Sequence, residues 1–273
     1  MIGAGNLATS LAVALTDAGH DILQVYSRTM QSAQTLATIA GGAAVTDISQ
    51  VRADADVYIL SVKDDALPVL IPQLCRGRED KLFLHTAGSV SIDVFQGMAR
   101  HYGVFYPMQT FSRQKRVSFE EIPCFIEGSG EEETDAIEAL ASQLSHRVYR
   151  LSSEARKYLH LSAVFACNFV NHCYAISAEL LEKHGIPFDV MLPLIEETAA
   201  KVHQMLPKDA QTGPAVRYDE NVIRAQSQLL KNNPLVKDIY DRMSMNIHRL
   251  SEEFNSFTNH KVPSSKYDKL RFR

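Results

Sequence analysis

The sequence predicts an α/β domain with a doubly wound parallel sheet, followed by an all-α C-terminal domain. Three observations predict this fold class: a glycine-rich turn at the start, short apolar runs that alternate with helical patterns up to residue 151, and helical periodicity alone from residue 152. Strands that alternate with helices are typical of parallel βαβ units. We therefore expect two domains, 1–151 and 152–273, each of ordinary domain size.

The elements of the first domain follow from apolar spacing and from turn residues. Residues 7–18 have apolar side chains at helical spacing, and Gly19 can end that helix. Residues 57–62 are a short, continuous apolar run, as expected of a strand buried on both faces. The remaining pattern predicts helices over 30–40 and 131–144, and strands over 21–26, 82–85, 103–106, 123–127 and 147–151.

The second domain lacks any strand pattern. Glycine and proline residues near 185–187, 207–214 and 234 divide it into helical stretches. These stretches cover residues 153–184, 188–205, 216–231 and 235–257.

Composition limits the class of protein. The chain has 273 residues, of which 45% are hydrophobic and 22% are charged, as in soluble globular proteins. Its net charge of −4 argues against a main role in holding nucleic acid, which needs a basic surface. A small anionic ligand, which needs only a local positive site, remains compatible with this charge.

Cysteine usage and hydropathy indicate a cytoplasmic protein. The four cysteines (Cys75, Cys124, Cys167 and Cys173) have no zinc-binding spacing, so we expect buried thiols in a reducing compartment and no metal site. No apolar run approaches the roughly 20 residues of a membrane span. No signal-peptide pattern opens the chain, because the glycine turn comes first.

The opening segment carries the clearest chemical motif. Residues 3–8 (GAGNLA) match GxGxxA, the dinucleotide-binding pattern of a Rossmann-type sheet. Gly3 permits the tight turn, Gly5 lets the backbone approach a pyrophosphate, and Ala8 lets the helix pack closely on the sheet. Ala4, Asn6 and Leu7 complete the predicted pyrophosphate cradle at the N-terminus of the helix. A plain glycine turn is the alternative interpretation.

The end of the second strand predicts which dinucleotide binds. NAD sites place Asp or Glu there to bond the ribose 2′-hydroxyl. Here the strand ends in Ser27 and Arg28, with no carboxylate. A hydroxyl and a guanidinium suit a 2′-phosphate, so we predict NADP(H). An exposed Arg28 without a ligand is the alternative.

Polar residues follow three further predicted strands. Ligands of open α/β sheets bind outside the carboxyl ends of the strands. We therefore expect Ser61, Val62 and Lys63 to line the cofactor site. His85 and Ser89 follow the next strand and Gln109 the one after it, so we place them near the nicotinamide. A structural, hydrogen-bonded role is the alternative for His85.

Five segments carry a resemblance to known proteins. Residues 2–8 (IGAGNLA) resemble the opening of the 6-phosphogluconate dehydrogenase-like superfamily, which includes pyrroline-5-carboxylate reductases and 3-hydroxyisobutyrate dehydrogenases. Segments 55–67, 84–95, 106–112 (YPMQTFS) and 212–219 (TGPAVRYD) narrow this to a family of NADP oxidoreductases that join a Rossmann-like domain to a conserved domain of unknown function. The resemblance covers nearly the whole chain. It implies an NADP-binding domain, a helical dimerisation domain and an active site between them, without implying a substrate.

The first helix after residue 152 departs from the superfamily pattern. The hydroxyacid dehydrogenases resemble this domain but use a Lys and an Asn one turn apart, whereas Val164 precedes Asn168 by one turn here. Lys157 lies on the same predicted face as Asn168 but about 16 Å away along the axis. His160 is the nearest residue able to move a proton near neutral pH. Structural roles remain open for His160 and Asn168.

The segment 212–219 contains a further candidate. Arg217 could bind a substrate carboxylate or form a structural ion pair, and Asp219 could cap the next helix or pair with Arg217.

Together these observations predict an NADP(H)-dependent oxidoreductase. It would transfer a hydride between the nicotinamide and a small carbonyl, imine or alcohol in the interdomain cleft. The candidates around the reacting centre are His85, Ser89, Gln109, His160 and Asn168. A dinucleotide-binding sensor without turnover is the alternative, which the missing lysine keeps open. The resemblance also implies a homodimer through the helical domain.

The start of the chain is an unexpected feature. A glycine turn of this kind normally follows a strand of about five residues, and only Met1 and Ile2 precede Gly3. We expect a truncated or misassigned start, and a sheet that lacks most of its central strand is the alternative. An added apolar, β-rich segment upstream should then increase stability and tighten NADPH binding.

Overall fold

The protein is described from a computed structural model, which covers residues 1–112 and 117–259. Contacts between residues divide the chain into two compact units, Met1–Asn168 and the part that begins at Phe169. The helix after residue 152 therefore belongs to the first unit. The domain boundary expected at 151 and 152 stays a prediction.

A mostly parallel sheet forms the centre of the first unit, which confirms the predicted α/β class. Its strands are β1 (Gln24–Tyr26), β2 (Ala43–Val45), β3 (Val57–Leu60), β4 (Leu82–His85), β5 (His101–Pro107), β6 (Cys124–Gly128) and β7 (Val148–Arg150). β1 pairs with β2, and β3 to β7 pair in chain order. β2 was not predicted, because three residues (AAV) are too short for an alternating or apolar pattern.

Ile2 joins the two parts of the sheet. It forms parallel bridges with Tyr26 of β1 and Leu60 of β3. Its N–H donates to the Ile59 carbonyl at 2.8 Å, and its carbonyl accepts from the Ser61 N–H at 2.7 Å. Ile2 thus occupies the central strand position of a doubly wound sheet, between β1 and β3.

A cavity of about 330 Å³ lies beside Met1, lined by the amino ends of β1 and β3. The Met1 amino group donates to the Gln24 carbonyl at 2.8 Å. Burial lowers the pKa of this amine to about 6. The cavity thus lies between β1 and β3, the two strands that Ile2 joins.

One strand pair departs from the predicted all-parallel sheet. β5 and β6 are antiparallel, with Phe105 opposite Ile126. The described residues between them, 108–112 and 117–123, contain no helix. Parallel strands need a long crossover, usually a helix, whereas an antiparallel return does not.

Helices cover the sheet of the first unit. They are α1 (Asn6–Asp17), α2 (Met30–Ala40), α3 (Leu67–Cys75), α4 (Glu131–Ser142) and α5 (Ser153–Ala163). α3 was not predicted, because Pro68 and Pro72 obscure its helical pattern, and Pro72 lies inside the helix. On one side of the sheet, Leu11 and Leu15 of α1 pack in a buried cluster with Ile59, Leu84 and Phe105.

The described part of the second unit is helical. Its helices are α6 (Val170–Glu182), α7 (Leu192–Gln204), α8 (Pro207–Ala210), α9 (Glu220–Leu229) and α10 (Pro234–Asn259). The single helix predicted over 153–184 is interrupted by a π-helical segment, Val164–Phe169, between α5 and α6. Within the described residues, no helix is long and apolar enough to cross a membrane.

Candidate functional site

The glycine-rich turn leaves open backbone at the N-terminus of α1. Gly3 has a φ of 111°, and a Cβ there would lie 2.1 Å from the Ser61 carbonyl oxygen, so a side chain does not fit. Around Gly5, in contrast, an added Cβ would meet nothing within 4 Å. Gly5 is the residue that precedes the first turn of α1. A ligand can therefore approach the backbone closely at Gly5.

The first turn of α1 suits an anion. Gly5 offers no capping side chain, and the turn contains no acidic residue. The first N–H groups of a helix lack intrahelical acceptors, and the helix dipole favours negative charge there. The Asn6 side chain donates to the Phe111 carbonyl at 3.0 Å and ties the turn to the segment after β5. The Asn6 backbone N–H remains the group that a phosphate could use.

The chain after β1 presents Ser27 and Arg28. The Ser27 N–H donates to the Val45 carbonyl at 3.1 Å, which fixes this backbone to β2. Ser27 is half-buried and Arg28 is exposed. Thr29 then caps α2 by accepting from the Ser32 N–H.

Two of the predicted polar segments meet at the carboxyl ends of neighbouring strands. β3, β4 and β5 lie side by side and parallel, so the segments after β3 and β4 leave the sheet at the same edge. The Ser89 hydroxyl donates to the Asp64 carboxylate and links these two segments directly. Ser61 and Val62 lie beside Gly3, and Lys63 is exposed.

His85 is enclosed in the protein. Its side chain has no solvent exposure, and its Nδ1 accepts from the Ala87 N–H at 3.1 Å. The ring stacks on Phe95 with a centroid distance of 5.8 Å. Burial, aided by the charge of Arg156, lowers the pKa of His85 to about 3, although the nearby Ser91 backbone opposes this shift. His85 is therefore neutral at physiological pH, and its Nε2 has no hydrogen bond of ordinary geometry.

Tyr106 and His160 form a hydrogen-bonded pair at this edge. The Tyr106 hydroxyl lies 3.0 Å from Nδ1 of His160, and the tautomer of the imidazole decides which atom donates. Tyr106 is buried near the end of β5, whereas His160 on α5 is half-buried. Burial raises the pKa of Tyr106, Arg156 lowers it, and Asp64 raises it further. The phenol is thus protonated at neutral pH.

Gly88 allows the pair to form beside the segment after β4. A Cβ on Gly88 would lie 2.6 Å from Nδ1 of His160 and 2.9 Å from Cζ of Tyr106. Any side chain at this position would displace one of the two rings. Because residue 88 is a glycine, the backbone of this segment can lie directly against the rings of Tyr106 and His160.

Arg156 holds α5 in place. Its side chain is fully buried, and its Nη1 donates to the Glu127 carboxylate of β6 at 2.7 Å. Its Nη2 donates to the Val90 carbonyl at 2.7 Å. Arg156 and His160 are four residues apart and so share one face of the helix. The ion pair of the buried Arg156 thereby helps to hold His160 in the position where it contacts Tyr106.

Gln109 and Asn168 do not join this cluster through any described hydrogen bond. Gln109 is exposed, and its side-chain oxygen accepts from the Thr110 N–H at 2.8 Å. Asn168 is exposed in the π-helical segment. The predicted common face of Lys157 and Asn168 assumed 3.6 residues per turn, which a π-helix does not have. The assumption of one continuous α-helix is therefore wrong, while the roles of Gln109 and Asn168 stay predictions.

The segment 212–219 belongs to the second unit. Asp219 caps α9 by accepting from the Val222 N–H, so of its two predicted roles the capping one is observed. Tyr218 has a φ of 52°, which is uncommon for a residue with a side chain. Its ring stacks on His248 of α10 at a centroid distance of 4.2 Å.

Two family models match the chain. Residues 1–88 match a model described as NADP oxidoreductase, coenzyme F420-dependent. Residues 122–247 match a domain of unknown function, DUF2520. None of the curated proteins compared with the chain is a significant match.

A solved structure decides the family. A protein from Bacteroides fragilis, described as a putative NADP oxidoreductase, is 54% identical to this chain with a TM-score of 0.87. The match covers 91% of this chain and 96% of that one. The chain belongs to this NADP oxidoreductase family.

More distant solved structures share the family's fold. An imine reductase from Myxococcus stipitatus, in complex with NADP⁺, is 16% identical with a TM-score of 0.66 over 92% of this chain and 93% of its own. A reductive aminase from Aspergillus terreus, in complex with NADPH and ethyl-5-oxohexanoate, is 17% identical with a TM-score of 0.62 over 92% and 91%.

Sequence reasoning missed three residues of the site in this family member. Tyr106 belongs to the segment 106–112, but the sequence assigned it no role, because its hydrogen bond to His160 is visible only in the structure. Arg156 and Glu127 are far apart in sequence and meet only through the packing of α5 on β6. An arginine one turn before a histidine was the available signal, since residues four apart share a helix face.

Proposed function

We propose that the protein is an NADP(H)-dependent oxidoreductase that transfers a hydride between the nicotinamide and a small carbonyl, imine or alcohol. The proposal depends on one juxtaposition: a glycine turn open to a dinucleotide lies on the same sheet edge as the Tyr106–His160 pair. Membership of an NADP oxidoreductase family supports it.

The residues around the glycine turn fit a dinucleotide. The open space at Gly5 would take a pyrophosphate, which the N–H groups of α1 would bind. The backbone that would hold it belongs to Gly3, Ala4, Gly5, Asn6 and Leu7, and the adjoining edge belongs to Ser61, Val62 and Lys63.

Ser27 and Arg28 would bind the 2′-phosphate of NADP(H). The backbone of Ser27 is hydrogen-bonded to β2, and the exposed Arg28 follows directly after it. A guanidinium binds phosphate through two parallel hydrogen bonds. The absence of a carboxylate in residues 26–29 removes the group that would favour NAD(H).

The chain supplies position and proton chemistry at this edge. Bound NADP(H) supplies or accepts the hydride. The Tyr106–His160 pair holds an exchangeable proton, and Arg156 keeps α5 in place. The Ser89–Asp64 hydrogen bond fixes the neighbouring segment.

Cofactor titrations test the proposal. NADPH should bind more tightly than NADH, and Arg28→Asp should reverse or abolish this preference, whereas Arg76→Asp, the same charge change after α3, should not. Gly5→Ala should weaken both cofactors without loss of stability, because its Cβ meets no protein atom. Failure to bind NADPH would refute the cofactor assignment, and an unchanged preference in Arg28→Asp would refute the role of Arg28.

Turnover separates an enzyme from a sensor. A panel of small aldehydes, ketones and cyclic imines should include compounds that oxidise NADPH in the presence of the protein. Tight NADPH binding without oxidation by any member of the panel would favour the non-catalytic sensor.

We further propose a homodimer formed through the helical unit. Among its described side chains only Ala215, Ser227 and Ser244 are buried, and α6 and α7 bury none. Large apolar side chains are exposed instead, including Leu194 at 63% and Leu206 at 53%. A unit this large normally has its own apolar core. A second copy of the chain would cover these surfaces.

A further inference from the structure

The Tyr106–His160 hydrogen bond lies near the carboxyl ends of the parallel strands. Tyr106 stands near the carboxyl end of β5, at the edge where ligands of such sheets bind. Gly88 places backbone, without a side chain, directly beside Nδ1 of His160. The segment after β4 therefore approaches Nδ1 of His160 through backbone alone.

We propose that the Tyr106 hydroxyl is the proton donor to the oxygen of a carbonyl substrate. His160 is the positioning residue that orients this hydroxyl and returns its proton. The inference rests on the proposed function and narrows its substrate class to a carbonyl and the corresponding alcohol.

The hydrogen-bond geometry permits this direction of transfer. When Nδ1 of His160 carries a proton, it donates to the phenolic oxygen across 3.0 Å. The Tyr106 O–H is then free to donate to a second acceptor. With Nδ1 unprotonated, the phenol donates to His160 instead, which is the arrangement needed for the reverse reaction.

The chemistry of the donor favours a carbonyl over an imine. A carbonyl oxygen has lone pairs that accept a hydrogen bond from a phenol before and during the reaction. An iminium nitrogen, the form that accepts a hydride readily, has no free lone pair to accept from Tyr106. A neutral phenol is therefore matched to an oxygen that becomes basic as the hydride arrives.

The proton and electron balance of the step is closed. The carbonyl carbon would accept the hydride from bound NADPH, which would be oxidised to NADP⁺, and the π electrons of the C=O bond would move to oxygen. The Tyr106 O–H bond breaks, its proton forms the alcohol O–H bond, and its electron pair stays on the phenolic oxygen. His160 then gives its Nδ1 proton to that oxygen while its Nε2 takes up a proton from water, so the net proton of the reduction comes from the solvent.

The fold restrains the helix that carries His160. Arg156, one turn earlier on α5, is tied to Glu127 and to the Val90 carbonyl. Val90 lies two residues after Gly88. The contacts of Arg156 therefore hold both α5 and the segment after β4. The imidazole is half-buried, which leaves it a route to exchange protons with water.

Substitution of Tyr106 tests the donor role. With a carbonyl that the wild type reduces, Tyr106→Phe should lower kcat by about 100-fold or more, the usual contribution of a general acid, while NADPH affinity stays unchanged. The matched control is Tyr102→Phe, the same change four residues earlier in β5, which should leave kcat unchanged. A near wild-type kcat in Tyr106→Phe would overturn this inference but not the proposed function. The same holds if the wild type turns over cyclic imines but no carbonyl.

Substitution of His160 tests the positioning role. His160→Ala should lower kcat while NADPH affinity is kept, and added imidazole should restore part of kcat, which a purely structural role would not permit. No rescue, together with a normal fold by circular dichroism, would contradict the role of His160. If the wild type binds NADPH but reduces no member of the panel, the proposed function itself fails, and this inference with it.

A measurement without cofactor checks the pair directly. In ¹⁵N spectra of the ring nitrogens of histidine, His160→Asn identifies the His160 signals. Tyr106→Phe should shift the Nδ1 signal of His160, and Tyr102→Phe should not. Identical His160 signals in the wild type and in Tyr106→Phe would show that the hydrogen bond is absent in solution.

Discussion

His85 shows at the level of one residue how burial changes chemistry. Its folded-state pKa is about 3, against an ordinary value of 6.5. Between these values the unfolded chain binds a proton that the folded chain does not, so falling pH favours unfolding. His85 contributes full stability above about pH 6.5, and this contribution is lost as the pH falls toward 3.

The pH dependence of unfolding measures this effect. Between pH 6 and 4 the wild type should lose up to about 1.4 kcal/mol per pH unit through His85. His85→Gln, which keeps a hydrogen-bonding group but does not titrate, should show a correspondingly shallower slope in urea denaturation. Parallel curves for the two proteins would contradict the buried, neutral state of His85.

The sequence predicted the cofactor side of the site better than the reacting side. The turn around Gly3 and Gly5 has local requirements, a positive φ and open space, which a motif encodes directly. The Tyr106–His160 pair depends on two elements 54 residues apart and on the absence of a side chain at Gly88. No local sequence pattern predicts a contact between residues so far apart in the chain.

At the scale of elements, an ion pair between Arg156 and Glu127 attaches α5 to β6. Arg156 is fully buried, so Glu127→Gln would leave a guanidinium without a charged partner inside the protein. We expect this change to reduce the free energy of unfolding by about 3 kcal/mol.

An exposed ion pair gives the matched control. Asp80 pairs with Arg100 at the surface, where both side chains are more than 70% exposed. Asp80→Asn should therefore change the free energy of unfolding by less than about 1 kcal/mol. Equal effects of Glu127→Gln and Asp80→Asn in chemical denaturation would show that the buried pair does not anchor α5.

The cavity beside Met1 makes a second prediction for the elements. Ile2 bonds to the Ile59 carbonyl, and Met1 bonds to the Gln24 carbonyl. By the regular spacing of a parallel ladder, the N–H groups of Ile59 and Gln24 face the cavity. A few apolar β-forming residues joined ahead of Met1 should pair with them and bury side chains in the cavity.

Added segments of equal length test this. A β-forming extension should raise the free energy of unfolding by about 2 kcal/mol, roughly the contribution of one buried aliphatic side chain. It should also tighten NADPH binding, because the turn at Gly3 follows directly. A Gly-Ser extension of the same length should do neither. Equal stability and affinity for the two extended proteins would refute the prediction.

The strands and helices that the sequence predicted are those with a strong period. Residues 82–85 and 30–40 are found with the predicted limits, because a buried strand and an amphipathic helix leave clear patterns. The antiparallel pairing of β5 and β6 was not predictable, since it depends on how the chain returns between them. The π-helical segment was missed because α and π periods differ little over six residues.

At the scale of the whole molecule, the exposed apolar surface of the helical unit predicts self-association. Sedimentation equilibrium at micromolar concentration should give twice the monomer mass. Leu194→Asp should weaken the dimer, because it would bury an unpaired charge in the proposed interface. Asn221→Asp, which introduces the same charge at an exposed polar residue of α9, serves as the control. A monomeric wild type would refute the dimer.

The joint between the two parts of the sheet, at residues 1–3, affects how the molecule unfolds. β1 and β2 with α2 are bonded to the rest of the sheet only through residues 1–3 among the described backbone bonds. This lobe should therefore unfold locally at lower free energy than the five-stranded part, as a separate cooperative unit. A dinucleotide held by both the Gly3 turn and Arg28 would span the joint. Its binding would then stabilise this lobe against local unfolding. Amide hydrogen exchange in β1 and β2 should therefore be slower when the dinucleotide is bound.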